Sequence, residues 1–354
     1  MDYAAANALI DRIVINKNDW SHSLDGLVIK RMVLGLAFYF YEDEAPQSRA
    51  AIIKIVENYA DLAGSRLRWT TNPDTGGWEA LKDGYYSSST LDRWLMKADR
   101  DIWQFTYHGG QDHREASNIE IGGMGGGIAH PKKLSFLYCY FPLEGFFEKI
   151  WEMRDLAYKW ADMLKPFHGY GGLTLADHHD LMTDIQLPSS ILDSYYSCVY
   201  PGVNINRFNI DAEVLTQEIK SADWLTFLSD HFLEKLGGSD EVETKLSSHS
   251  AMLGRPYPGG TMIMAGLGES IEERTGKEPR EMIHLRNLAR IIEPVRKKDH
   301  PGYFTQRDDI ILNADCKYLN PVQFRVWLAR FSPVYMTIKP VTEVLPGKRP
   351  RIKR

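Results

Sequence analysis

Residues 26–41, GLVIKRMVLGLAFYFY, constrain the fold more than any other stretch of this chain. The run is rich in Val, Leu, Phe and Tyr and alternates only loosely, which predicts a long β-strand. It ends at the acidic turn Glu42-Asp43-Glu44-Ala45-Pro46. Behind it, RAAIIKIVENYADLAG sets Ile52, Ile53, Val56 and Tyr59 at helical spacing, with Gly64 as its stop. A long strand followed by an amphipathic helix requires a sheet with a helical layer. The rest of the chain repeats this alternation with several strands in succession. LRWTT and GWEAL read as a hairpin, IWQFTYHGG, ASNIEIGG and KLSFLYCYF as strands, and SSSTLDRWLMKAD and residues 142–164 as helices. In the second half GYGGLTLA and RPYPGGTMIMAGL read as strands. Helices are expected over LPSSILDSYYSCVYPGV, SADWLTFLSDHFLEKLGG, SDEVETKLSSH, EMIHLRNLARIIEPVR and NPVQFRVWLARF. The fold class expected is α+β, with mixed or antiparallel sheets flanked by helices in one compact unit. The domain expected is a single one over 1–354, divisible into halves 1–165 and 166–335, with 336–354 as a flexible basic tail.

That tail bears on charge. The formal net charge is −5 at pH 7, yet the last seven residues, KRPRIKR, carry five positive charges, so the remaining chain stands at −10. An acidic body disfavours direct nucleic-acid binding and suits a basic protein partner. No secretory signal opens the chain, because Asp11 and Arg12 break the first apolar stretch. The longest apolar runs are cut by charge or proline well before the roughly 18 residues of a membrane span. Cys139, Cys198 and Cys316 are far apart, as in a reducing compartment, and Cys139 lies in SFLYCYF as a small core residue. A cytoplasmic protein without membrane contact is expected.

Three segments invite a catalytic reading. Gly122-Gly123-Met124-Gly125-Gly126-Gly127 lacks the helix start and acidic ribose partner of a dinucleotide fingerprint, so a hairpin or bulge is favoured. Asp177-His178-His179-Asp180 holds metal-ligand types and supports an alternative function, a metal-dependent phosphohydrolase or nuclease. Its neighbours supply no further Asp/His motif, and an exposed polar loop is the stronger expectation. Glu241-Val242-Glu243-Thr244-Lys245 contains a Glu-x-Lys, but on a short polar helix where those residues are ordinary helix formers. No Gly-x-Ser-x-Gly elbow or His-Glu-x-x-His helix occurs. Binding without catalysis, and without a cofactor or metal, is therefore expected. A structural component of a secretion apparatus is the other alternative.

The second half carries a resemblance. HGYGGLTLA at 168–176, YPGVNIN at 200–206, IKSADWLTFLSDHFLEKLGG at 219–238, YPGGTMIMAGLGE at 257–269 and RNLARIIEPVR at 286–296 succeed one another in an order that resembles the type VI secretion immunity family, the TsiV-like proteins. The likeness spans roughly residues 25–300, and its motifs are structural rather than catalytic. It implies a protein encoded beside a type VI toxin that protects the producing cell by binding that toxin. The toxin implied is a nuclease of the restriction-enzyme-like superfamily, whose active or DNA-binding site the immunity protein would occlude. Such a cleft is basic so as to hold phosphates, and an acidic inhibitor complements it. The contact residues expected are Glu42, Asp43 and Glu44, then Asp177 and Asp180, with Met124 of the glycine run.

Overall fold

The computed structural model describes residues 12–16, 20–42, 45–72, 75–82, 91, 92, 95, 102–126, 133–144, 150–179, 192, 193, 196, 200, 202–266, 282–298 and 327–331. Twelve strands form one sheet: β1 (Ile13–Asn16), β2 (Ser21–Leu24), β3 (Leu27–Phe40), β4 (Trp69–Thr71), β5 (Trp78–Ala80), β6 (Trp103–His108), β7 (Glu120–Gly125), β8 (Ser135–Phe141), β9 (His168–Asp177), β10 (Leu225–Ser229), β11 (Met252–Tyr257) and β12 (Gly260–Ala265). The helices of the described residues are α1 (Ala45–Ala63), α2 (Ile150–Leu164), α3 (Phe208–Val214), α4 (Asp230–Lys235), α5 (Ser239–Ser247) and α6 (Met282–Ile291). The α+β expectation holds, with an antiparallel sheet.

The 14-residue β3 is the axis of this sheet. One edge pairs with β9 from Lys30 opposite Asp177 to Tyr39 opposite His168. The other edge pairs first with β2 and then with β8. From β8 the sheet continues through β7, β6, β4 and β5, and from β9 through β10, β12 and β11. Strands of both halves of the chain therefore share one sheet.

The loose alternation of β3 follows from burial on both faces. Leu34, Leu36, Phe38 and Phe40 pack with Ile52, Ile55, Val56 and Tyr59 of α1 and with Met153, Ala157 and Trp160 of α2. Val33, Ala37 and Tyr39 face the other way, among Phe136, Tyr138, Tyr140 and Tyr170. Side chains alternate across a strand, so a strand covered on both faces is apolar at almost every position. Helix α1 ends where Gly64 takes φ +57°, a backbone state that residues with a Cβ rarely adopt. Cys139 is buried with the first face, and its burial pushes the thiol well above its usual pKa.

Two expectations are corrected. The segment 221–238 is not one helix, since Leu225–Ser229 forms a strand between β9 and β12 and only Asp230–Lys235 is helical. Leu225 and Phe227 pack on the α1–α2 side, while Leu228 packs with Phe232 and Leu233 on the other. A run apolar in every direction fits a buried strand as well as a helix, and pairing on two sides satisfies its backbone. The glycine run is also not a turn: Gly122, Gly123 and Gly125 lie inside β7, paired with β6 and β8. A Cβ on Gly122 would sit 2.7 Å from the Tyr138 hydroxyl and one on Gly123 2.7 Å from the Phe136 carbonyl, while one on Gly125 would strike the Glu42 carboxylate. Close packing, not chain reversal, selects these glycines. Most of the helix expected over 88–100 lies outside the described residues, as does the basic tail 336–354.

Candidate functional site

The second face of the sheet is lined with buried ionic and aromatic groups, and the Asp177-His178-His179 segment lies across it. Asp177 ends β9 and accepts from Lys30 Nζ at 3.1 Å and from Arg207. Lys30, with 1% of its side chain exposed, also meets Asp193 at 2.7 Å, and Arg207 reaches the same carboxylate at 2.9 Å. Two cations and two carboxylates thus neutralise one another where β3 and β9 begin and end. Asp177 Oδ1 accepts the backbone N–H of His178 at 3.0 Å, which turns the chain back over the sheet. The His178 side chain is buried, and that burial lowers its pKa.

His179 then reaches β7. Its Nε2 donates to Glu120 Oε2 at 3.0 Å, and Tyr138 Oη donates to Glu120 Oε1 at 2.6 Å. Burial pushes the Glu120 carboxyl up, but the imidazole of His179 outweighs it and leaves the pKa below its usual value. Burial pulls His179 down, and Glu120 outweighs that, leaving its pKa raised. The pair is an imidazolium–carboxylate bridge. His108, whose ring lies 5.2 Å from that of His179, is the opposite case. Gly110 N–H donates to its Nδ1 at 3.1 Å, and its Nε2 donates to the His113 carbonyl at 3.1 Å. Burial holds it neutral, with a pKa lowered to about 4.

This cluster meets the surface through two tryptophans of the outer strands. Trp78 of β5 packs edge-on against His108 and lies 4.9 Å from the His179 ring, and Trp69 of β4 lies 5.4 Å from His113. Both indoles are half-buried, beside the exposed ion pair Asp112–Arg114 at 2.8 Å. Deeper on the same face Lys220 is enclosed by Asp211 at 2.6 Å, Asn206 at 3.0 Å and the Ile205 carbonyl at 2.8 Å, and Tyr39 also donates to Asp211. Burial lowers the Lys220 pKa against the pull of Asp211.

The expected contact residues are scattered. Glu42 is not on a solvated turn: its carboxylate is enclosed by Trp103 Nε1 at 2.9 Å, the Ser135 hydroxyl and Arg49. The turn was read from charge alone, and the indole donor that draws Glu42 inward lies 61 residues away. Asp43, Glu44 and Asp180 lie outside the described residues. Met124 is half-buried on β7, paired opposite Gln104 and Phe136. Asp177 is about one-quarter exposed. Asp177 pairs with Lys30 while Glu42 lies beyond Phe40, the last residue of β3, so about 33 Å of strand from Lys30 to Phe40 stands between the two acidic segments. The 177–179 segment is corrected too, from an exposed loop to a partly buried bridge. The neighbours that bury it, Glu120, His108 and Trp78, come from strands distant in sequence.

The Glu-x-Lys segment is on a short polar helix, as expected, and further carboxylates of α4 and α5 stand near it. Asp230, Glu234, Asp240, Glu241 and Glu243 are all exposed, around the buried Leu233, Val242 and Leu246. Their helical spacing away from those apolar positions was the available signal. Among the described residues no three His, Cys, Asp or Glu side chains are placed to hold a metal ion. No described helix is long and apolar enough to cross a membrane.

No curated protein matches the chain. Among solved structures it is similar to the Pseudomonas aeruginosa T6SS protein PA0821, with a TM-score of 0.73 and 18% identity over 96% of this chain and 94% of that one. At that identity the likeness establishes a shared fold. The family described as type VI immunity for VRR-NUC matches residues 51–331. This chain belongs to that family, TsiV.

Proposed function

We propose that this protein acts in the cytoplasm by binding a VRR-NUC nuclease toxin of the restriction-enzyme-like superfamily and occluding its active or DNA-binding site, with no catalytic step of its own. Membership of the type VI immunity family over residues 51–331 carries the reading. The chemistry of the histidine cluster supports a binding role. His108 gives its proton to a backbone carbonyl and His179 is committed to Glu120, so neither stands beside a nucleophile as a general base. The acidic body of the chain suits a toxin whose cleft is lined with cations.

Of the two acidic segments, the Asp177 end of the sheet is the better contact surface. The Glu42 carboxylate is spent on internal donors, whereas the Asp177 end carries two half-buried tryptophans flanked by Asp112 and Arg114. Tryptophan and arginine dominate interface hot spots: the indole buries a large area with two rotatable bonds, and the guanidinium offers a planar fork of donors. Trp69 and Trp78 would be the anchors, with the exposed Asp112–Arg114 pair beside them. Co-expression with a VRR-NUC toxin encoded beside the gene tests the reading. Growth rescue and co-purification are expected. Failure of both, with the two proteins soluble, would overturn it.

A further inference from the structure

Away from the histidine cluster an open cleft of about 340 Å³ is lined by Lys245, His249, Asn287, Arg290, Ile291, Glu293 and Pro294. It lies between α5 and α6. Volumes of this size hold a small organic molecule. We propose that this cleft binds a small organic anion, a carboxylate or phosphate group carried on an apolar or aromatic body.

The charge balance argues for an anion. Lys245 is paired with Glu241 at 3.2 Å and Glu293 with Lys298 at 3.0 Å, so two of the charges at the rim are already compensated. Arg290 is not: among the described residues no carboxylate or carbonyl meets its guanidinium, and the cleft keeps one net positive charge. A guanidinium offers a planar fork of donors that matches a carboxylate or phosphate edge. Further polar groups line the cleft, since the Asn287 amide lies 3.3 Å from His249 Nδ1. Lys245 retains further N–H donors beyond the one given to Glu241. Ile291 and Pro294 add an apolar wall, and the cavity is several times larger than a bare anion needs. An inorganic ion would leave that wall wet, while a ligand with a hydrophobic body would cover it.

The inference stands independently of the toxin partner. Calorimetric titration of the full chain with phenyl phosphate, benzoate and inorganic phosphate tests it. The two aryl anions are expected to saturate a single site, with inorganic phosphate roughly tenfold or more weaker. Arg290→Ala should weaken both aryl anions by about tenfold or more, and Arg290→Lys by less, because the fork is lost while the charge stays. Arg290 is exposed, so unchanged thermal melting of the variant confirms its fold. Absence of saturable binding up to about 10 mM, binding unaffected by Arg290→Ala, or inorganic phosphate binding as tightly as the aryl anions would each overturn the proposal. So would Arg290→Ala weakening toxin binding, which would assign the cleft to the protein interface instead.

Discussion

The two faces of β3 are made by neighbouring residues of one strand, yet they are built on different chemistry. Leu34, Leu36, Phe38 and Phe40 bury against aliphatic and aromatic side chains of α1 and α2, with Trp160 1% exposed at their centre. One residue over, Tyr39 meets Asp211, Lys220 lies beneath it, and the same face carries the Glu120–His179 and Lys30–Asp177 pairs farther along. The first face is held mainly by area removed from water, which is tolerant of position, and its one described buried ion pair, Glu42–Arg49, sits at the end of β3. The second holds charges that had to leave water and are repaid only by specific partners. Such a face contributes little net stability and much orientation. It fixes where the 177–179 segment and Trp78 stand.

The largest effects should separate the faces. Trp160→Ala is expected to cost about 3–5 kcal/mol, and no second substitution nearby should restore it fully, because the loss is volume. Asp211→Ala is expected to cost a similar ~3–5 kcal/mol by leaving Lys220 buried and unpaired, but the double variant Asp211→Leu with Lys220→Met should return to within about 1 kcal/mol of the parent or exceed it. Denaturant melts of the parent, the two single variants and the double variant check this. A double variant as unstable as Asp211→Ala would mean that the second face stabilises the fold as the first does.

A middling effect is expected at the edge of the second face. Trp78→Ala removes a half-buried indole and should cost about 1–2 kcal/mol of stability. Its effect on toxin binding should exceed that, with a loss of roughly 30-fold or more in affinity. Equal binding by the folded variant would move the contact surface elsewhere on the sheet.

The smallest effect is in pH dependence, and it distinguishes two histidines of one cluster. His179 has a raised pKa, so its bridge to Glu120 contributes fully below the unfolded value of 6.5 and is lost as pH rises through its folded pKa. Glu120 has a lowered pKa, so its share is present above 4.5 and is lost as pH falls through its folded value. His108 runs the other way: held neutral with a pKa of about 4, it costs stability as pH falls from 6.5 towards 4. His179→Gln should therefore flatten the fall in stability above pH 6.5 and remove the Glu120 share of the acid limb, leaving the share of His108 between pH 6.5 and 4. Melting temperatures across pH 4–9 read both limbs. An unchanged fall above pH 6.5 in His179→Gln would contradict the assignment.

Much of the first face was legible in the sequence because its signals are local. The apolar spacing of Ile52, Val56 and Tyr59 and the glycine at 64 mark α1, and the run at 26–41 marks β3. The second face was not legible, since its partners are joined only by the sheet. Glu120 meets His179 across 59 residues, and on the first face Glu42 meets Trp103 across 61 and was hidden for the same reason. Read alone, both acids and both histidines of the 177–179 segment look like solvated polar residues. The strand at Leu225–Ser229 was hidden differently, by burial on every side that leaves no period to read.

The central claim is toxin neutralisation by binding, and titration of nuclease activity tests it most directly. Cleavage of DNA by the purified VRR-NUC toxin should fall linearly with added protein and vanish at one equivalent, with Trp78→Ala shifting the curve to higher concentration. Unabated cleavage at a large excess of folded protein would contradict the account.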